Sequence, residues 1–210
     1  MLGWKILVHA VRMVVRNIPS VFRIFWAPVL LSVLVIAAFV YVTGIADFLV
    51  WGERTTIPAE NLPRFAFLLF FVIWITLAVI GAWGVTAWHR FVLLEEFSSG
   101  VLPEFDLKRA VGYFLRFLLL GLIALILFVP AIFVLSAIIL AVWPVGAVLF
   151  VAFALLLGVL LLRWSLILPA FAVGKSMTLS ESWRAWDSIV NPGRTALGLI
   201  VCYAILQSIV

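Results

Sequence analysis

The chain has 210 residues, of which 67% are hydrophobic and 11% charged, with a mean hydropathy of +1.34 and a net charge of +5. A water-facing globular domain carries about 25% charged residues, so this composition excludes an ordinary soluble fold and suits a bilayer as solvent. The basic residues fall in clusters between apolar segments, which argues for orientation in a membrane and against nucleic acid as a partner.

Residues 1–23 read as an interfacial helix. Lys5, His9, Arg12, Arg16 and Arg23 share one face, within roughly 60° at 100° per residue. Trp4, Leu7, Val11, Val14, Val15 and Ile18 take the other. Such a helix lies in the headgroup layer, with rings down and charges up. The alternative is the start of a long first span, broken near Pro19. The first span itself, about 24–46, is too long for a signal-peptide core and no small-x-small cleavage site follows it, so it reads as retained.

A second span covers about 65–88. Its exit, HRFVLLEE, holds the densest polar cluster: His89, Arg90, Glu95 and Glu96. Glu96 follows His89 by seven residues and so shares its helical face. A histidine beside carboxylates can move protons or hold a metal. The plainer reading is a juxtamembrane cap, with acids paired to Lys108 or Arg109. Metal-ligand spacings such as HExxH or CxxC are absent, and the single cysteine, Cys202, excludes an intrachain disulfide. No metal or cofactor is expected. Ser98-Ser99-Gly100 and Ser180-Glu181-Ser182 sit outside any nucleophile motif, so no enzyme activity is expected either.

A second interfacial helix is expected over about 106–116, with Asp106 as N-cap. Arg109, Gly112 and Arg116 line one face and Leu107, Val111 and Phe114 another. A third span follows at about 117–141, with Pro130 halfway along. An uncharged Trp143-Pro144 hairpin leads to a fourth span at about 145–168. Arg163 is the one charge between Val145 and Gly174. Arginine at a helix centre costs about 2.5–3.5 kcal/mol on insertion scales, whereas near a helix end its stem snorkels to the interface. Arg163 therefore reads as an edge anchor, with Pro169 ending the helix and the apolar residues beyond Trp164 lying along the interface. The other reading is an intramembrane site. A capping box, Thr178-Leu-Ser-Glu181, opens a third interfacial helix at about 179–190 that carries Arg184 on its polar side. It ends at Asn191-Pro192-Gly193, a turn signal. The last apolar run, Thr195–Val210, has 16 residues, short of the roughly 20 that cross a bilayer.

Between successive spans the Lys/Arg tally alternates four, two, four, zero, four. That is the positive-inside pattern of an N-terminus in the cytoplasm. The order of basic helix, span, span and exit arginine runs from Lys5 to Arg90 and again from Asp106 to Arg163. It begins a third time at Leu179, and a threefold repeat would place a sixth span after residue 210. Trp4, Trp26, Trp51, Trp88, Trp143, Trp164, Trp183 and Trp186 fall at expected interfaces, and only Trp74 and Trp83 fall within spans. Gly81, Gly84, Gly121, Gly146, Gly158 and Gly198 read as helix-packing contacts.

The segments RNIPSVFR (16–23) and RWSLILPAFAVGKSMTLSESWRAW (163–186), with the NPG turn after them, carry a family resemblance. The chain resembles bacterial six-helix inner-membrane proteins of unknown function. It is also similar to the membrane domain fused to some glycerophosphodiester phosphodiesterases. In that pattern an arginine-to-proline exit precedes a short amphipathic helix with a Ser-Trp pair, here Ser182-Trp183. The acidic residue often found after the proline is replaced by Ala170-Phe171. The resemblance implies a single membrane domain and supplies no catalytic residue.

The expected architecture is thus an all-α polytopic bundle of about five spans with short interfacial helices. The expected function is a scaffold or accessory subunit in the bacterial inner membrane. Lys5, Arg12, Arg16, Arg109, Arg116 and Arg184 would hold anionic lipid headgroups. A larger membrane complex or self-association would supply further partners. The alternative is a transporter or lipid-handling protein for an apolar substrate, built around Pro130 and Arg163.

Overall fold

The computed structural model describes residues 2–43, 66–96, 103–188, 193 and 195–201. Among them the fold is all-α: α1 (Leu2–Arg16), α2 (Ile18–Thr43), α3 (Ala66–Leu94), α4 (Leu107–Ala141), α5 (Trp143–Trp164), α6 (Ile167–Ala172) and α7 (Leu179–Asp187). Residues 195–201 are also helical. The segments 18–43, 67–94, 107–141 and 143–172 are long and apolar enough to cross a membrane, so the chain is a multi-pass membrane protein. The loop 47–64, Trp51, Ser98-Ser99-Gly100, Val190, Asn191-Pro192, Arg194, Cys202 and the rest of the fifth expected span lie outside the described residues.

Three boundaries differ from the sequence reading. The first break falls at Asn17, ahead of Pro19. Asn17 closes α1 through its backbone N–H to the Val14 carbonyl (3.1 Å) and its side-chain amide to the Met13 carbonyl (2.8 Å). Pro19 then sits in the first turn of α2, where a backbone N–H has no helical acceptor to lose. The first span accordingly begins at Ile18 and takes in Arg23.

The expected interfacial helix at 106–116 is the beginning of α4 and not a separate element. Asp106 caps it by accepting from the Arg109 N–H at 3.0 Å. No breaker stands at its end near Arg116, and the helix runs on for 35 residues, continuing through Pro130. At 1.5 Å per residue that is about 52 Å, well beyond the roughly 30 Å of hydrocarbon. One helix can serve both as span and as amphipathic extension.

Pro169 does not end the fourth span. The chain turns tightly at Ser165–Leu166 and re-enters helix as α6, with Pro169 in its first turn. Termination comes at Gly174, whose φ of +81° places it in the left-handed region. The Gly174 N–H donates to the Phe171 carbonyl and the Lys175 N–H to the Ala170 carbonyl, at 3.0 and 2.9 Å. These are the paired bonds of a Schellman ending.

Two compact units are present, Met1–Ile18 with Leu115–Val210, and Pro19–Phe114. In the second, Ala27, Trp83 and Ala110 form the core, with Val79 against them. Trp83 donates its indole N–H to the Glu104 carbonyl (3.1 Å), and its ring meets Phe105 edge-on. Gly84 seats the Phe25 ring: a Cβ there would lie 3.0 Å from it. In the first unit, α4 and α5 are joined by the single residue Val142, and a Cβ on Gly146 would stand 2.6 Å from the Ile139 backbone. Gly158 faces Ile200, and Gly3 lies against the backbone of 195–199. Gly81 and Gly121, by contrast, have no packing neighbour within 4 Å of a Cβ among the described residues.

Candidate headgroup-binding surface

α1 carries the surface of greatest chemical interest. Its sequence alternates polar and apolar residues at helical spacing, so one side is cationic and the other oily. Lys5, His9, Arg12 and Arg16 are all exposed. Among the described residues, the ion pairs engage Arg90, Arg109 and Arg163 and leave Lys5, Arg12 and Arg16 without a carboxylate. The apolar side is also uncovered: Trp4 is 54% and Val15 59% exposed. Water would tolerate the first face and a hydrocarbon the second, and only an interface suits both. Trp4, Lys5, Val8, His9 and Arg12 line a shallow cleft of about 320 Å³.

The remaining expected headgroup residues are differently placed. Arg109 is paired with Asp106 at 3.2 Å. The Arg116 guanidinium lies over the Phe171 ring at 3.6 Å, which ties α4 to α6. Arg184 is exposed on α7.

Arg163 occupies the last turn of α5. Twenty residues separate it from Trp143, which is about 30 Å of helix and about one hydrocarbon thickness. Its side chain is 12% exposed and is clasped by α7. The guanidinium stacks on the Trp183 ring at 3.6 Å, donates to the Trp183 carbonyl at 3.3 Å and pairs with the Asp187 carboxylate. The fully buried Ser182 donates its hydroxyl to the Arg163 carbonyl at 2.6 Å. Trp164 lies against Trp183, with centroids 6.1 Å apart. Arg163 Nε and Trp186 Nε1 are buried donors without an acceptor among the described residues. Ring stacking and the ion pair therefore carry the junction more than complete hydrogen bonding does.

α7 begins at the expected capping box. The Glu181 N–H donates to the Thr178 hydroxyl (3.3 Å), and the Thr178 N–H donates to the Glu181 carboxylate (2.7 Å). The backbone hydrogen bond from Thr178, then its hydroxyl, hold the Glu181 carboxyl below its ordinary value; Arg184 acts in the same direction more weakly.

The polar cluster at the end of α3 is divided. Arg90 pairs with Glu96 at 2.5 Å. His89 meets the Tyr113 hydroxyl at 3.3 Å across to α4. Glu95 takes a φ of +53°, the left-handed turn that stops the helix after Leu94. His89 is therefore next to a phenol and not to either glutamate. No group of three or more His, Cys, Asp or Glu side chains suited to a metal occurs among the described residues.

Pro130 lines an apolar groove of about 620 Å³ between α4 and α5, with Leu127, Val134, Leu149, Phe153 and Leu156. Arg163 is seven residues past Leu156, about 10 Å farther along the helix axis, and does not line it. The two residues expected to share a working centre are thus apart. The Arg163 clasp is not legible in the sequence because Asp187 lies 24 positions away; the spacing of Trp183 and Asp187 on one helix face is the signal the sequence offers. No family model, curated protein or solved structure matches the chain.

Proposed function

We propose that the protein is a non-enzymatic membrane scaffold or accessory subunit that holds anionic lipid headgroups at the inner leaflet of a bacterial inner membrane. The observation that supports this best is α1, whose cationic row lacks carboxylate partners among the described residues while its apolar row lies uncovered. Each Lys or Arg near an anionic surface contributes about 1 kcal/mol, so Lys5, Arg12 and Arg16 together favour that surface by about 3 kcal/mol. The alternating charge tally puts α1, the first turns of α4 and α7 on the cytoplasmic side. The family resemblance belongs to the same reading, and a larger complex or self-association is the role it gives the exposed apolar flanks of the spans.

The test is a charge swap. Arg12→Glu with Arg16→Glu should reduce co-purified anionic lipid, measured by mass spectrometry of protein extracted in its native lipid, or invert the orientation of α1. Unchanged lipid retention and unchanged orientation would overturn the proposal. The groove at Pro130 favours a second reading, a protein that handles an apolar or lipid-like substrate. Tight, stoichiometric retention of one neutral lipid, lost in Phe153→Trp, would support that reading instead.

A further inference from the structure

We infer that the cleft on α1 is a discrete site for a lipid phosphomonoester headgroup and not merely part of a diffuse cationic surface. This rests on the headgroup-binding reading of α1 and narrows it to one ligand class.

Lys5, His9 and Arg12 stand at i, i+4 and i+7, so their side chains are neighbours along one face of the helix. All three are exposed and line the same cleft. Each supplies N–H donors: an ammonium, an imidazole with at least one N–H in any protonation state, and a guanidinium. A phosphodiester has one charge and two free oxygens. A phosphomonoester has three free oxygens and a second charge that develops with a pKa near 6. Three adjacent donor groups, two of them permanently charged, match the monoester in both oxygen count and charge.

The other lining residues indicate a lipid rather than a soluble phosphate ester. Trp4 and Val8 also line the cleft, and by helical spacing they fall between the cationic row and the apolar row of α1. A headgroup bound there places its phosphate among the cations and its glycerol and acyl carbons against the indole. A tryptophan is suited to that depth because it is apolar over most of its area and polar at one edge. Arg16 lies outside the cleft and adds only to the general field.

The experiment uses the full chain in nanodiscs of neutral lipid doped with either phosphatidic acid or phosphatidylglycerol. Native mass spectrometry reads the retained lipid. The wild type should retain phosphatidic acid about fivefold more strongly, the effect of one additional headgroup charge near the site. Lys5→Gln with Arg12→Gln should lower phosphatidic acid retention about 30-fold, and His9→Ala should erase most of the preference. Lys175→Gln, exposed and outside the cleft, should leave the preference intact. Helix content by circular dichroism confirms that these exposed replacements keep the fold. Equal retention of both lipids, lowered equally by the double replacement, would overturn the monoester site but keep general headgroup binding. Retention of neither lipid would overturn both. Displacement of phosphatidic acid by soluble glycerol 3-phosphate at comparable concentration would overturn the assignment to a lipid.

Discussion

Replacing Arg163 with glutamine should release α7 from the end of α5. The neutral amide is shorter and loses three interactions at once. Stacking of a mostly desolvated guanidinium on Trp183 at 3.6 Å contributes about 1–2 kcal/mol. The pair with the half-exposed Asp187 adds about 0.5–1 kcal/mol, and the 3.3 Å hydrogen bond to the Trp183 carbonyl about as much. These interactions share one side chain and do not add fully, so a net loss of about 2–3 kcal/mol is expected. The Ser182 hydroxyl bond goes to the Arg163 backbone and survives the change. Hydrogen exchange of the amides of 179–187, followed by mass spectrometry in lipid nanodiscs, reads the opening directly. The loss corresponds to exchange roughly 30- to 150-fold faster in that segment, with the α4–α5 hairpin unaffected. Unchanged exchange over 179–187 would show that Arg163 does not hold α7.

Two further expectations concern the same unit. The Glu181 carboxyl is held below its ordinary value of 4.5 in the folded protein, so its contribution to α7 is fully present above that value and is lost as pH falls through the folded one. Exchange of the first turn of α7 should rise in that acid window for the wild type, and Glu181→Gln, which keeps an acceptor but cannot titrate, should flatten the dependence. Gly146→Ala should lower the thermal midpoint, because its Cβ would press on the Ile139 backbone at 2.6 Å and overpacking of this kind costs about 1–3 kcal/mol. Gly81→Ala, with nothing within 4 Å among the described residues, should be neutral or slightly stabilising by the same thermal assay.

Much of this architecture is legible in the sequence because a bilayer leaves little choice. Runs of some twenty apolar residues must be helical there, since no water is available to satisfy the backbone. The capping box at Thr178 was legible for a local reason: both partners lie within four residues. Proline was the poor guide. Pro19 and Pro169 look like helix stops but fall in first turns, where proline costs no hydrogen bond, while Asn17 and Gly174 do the stopping. The amphipathic start of α4 shows the limit of reading faces: a change of polarity along a helix marks a change of solvent and not a break in the backbone. The candidate site divides in the same way. The cationic row of α1 follows from spacing alone. The Arg163–Asp187 pair and the His89–Tyr113 contact, 24 residues apart in each case, depend on tertiary packing.

The central claim is that the cationic segments share one side of the membrane and the charge-free hairpin takes the other. Single cysteines placed at Ala10, Val142 and Ser188 in a Cys202→Ala background test it directly, using an impermeant maleimide applied to sealed vesicles of known sidedness. Positions 10 and 188 should label from the cytoplasmic face and position 142 from the opposite face. Labelling of 10 and 188 from opposite faces, or of all three from one, would contradict it.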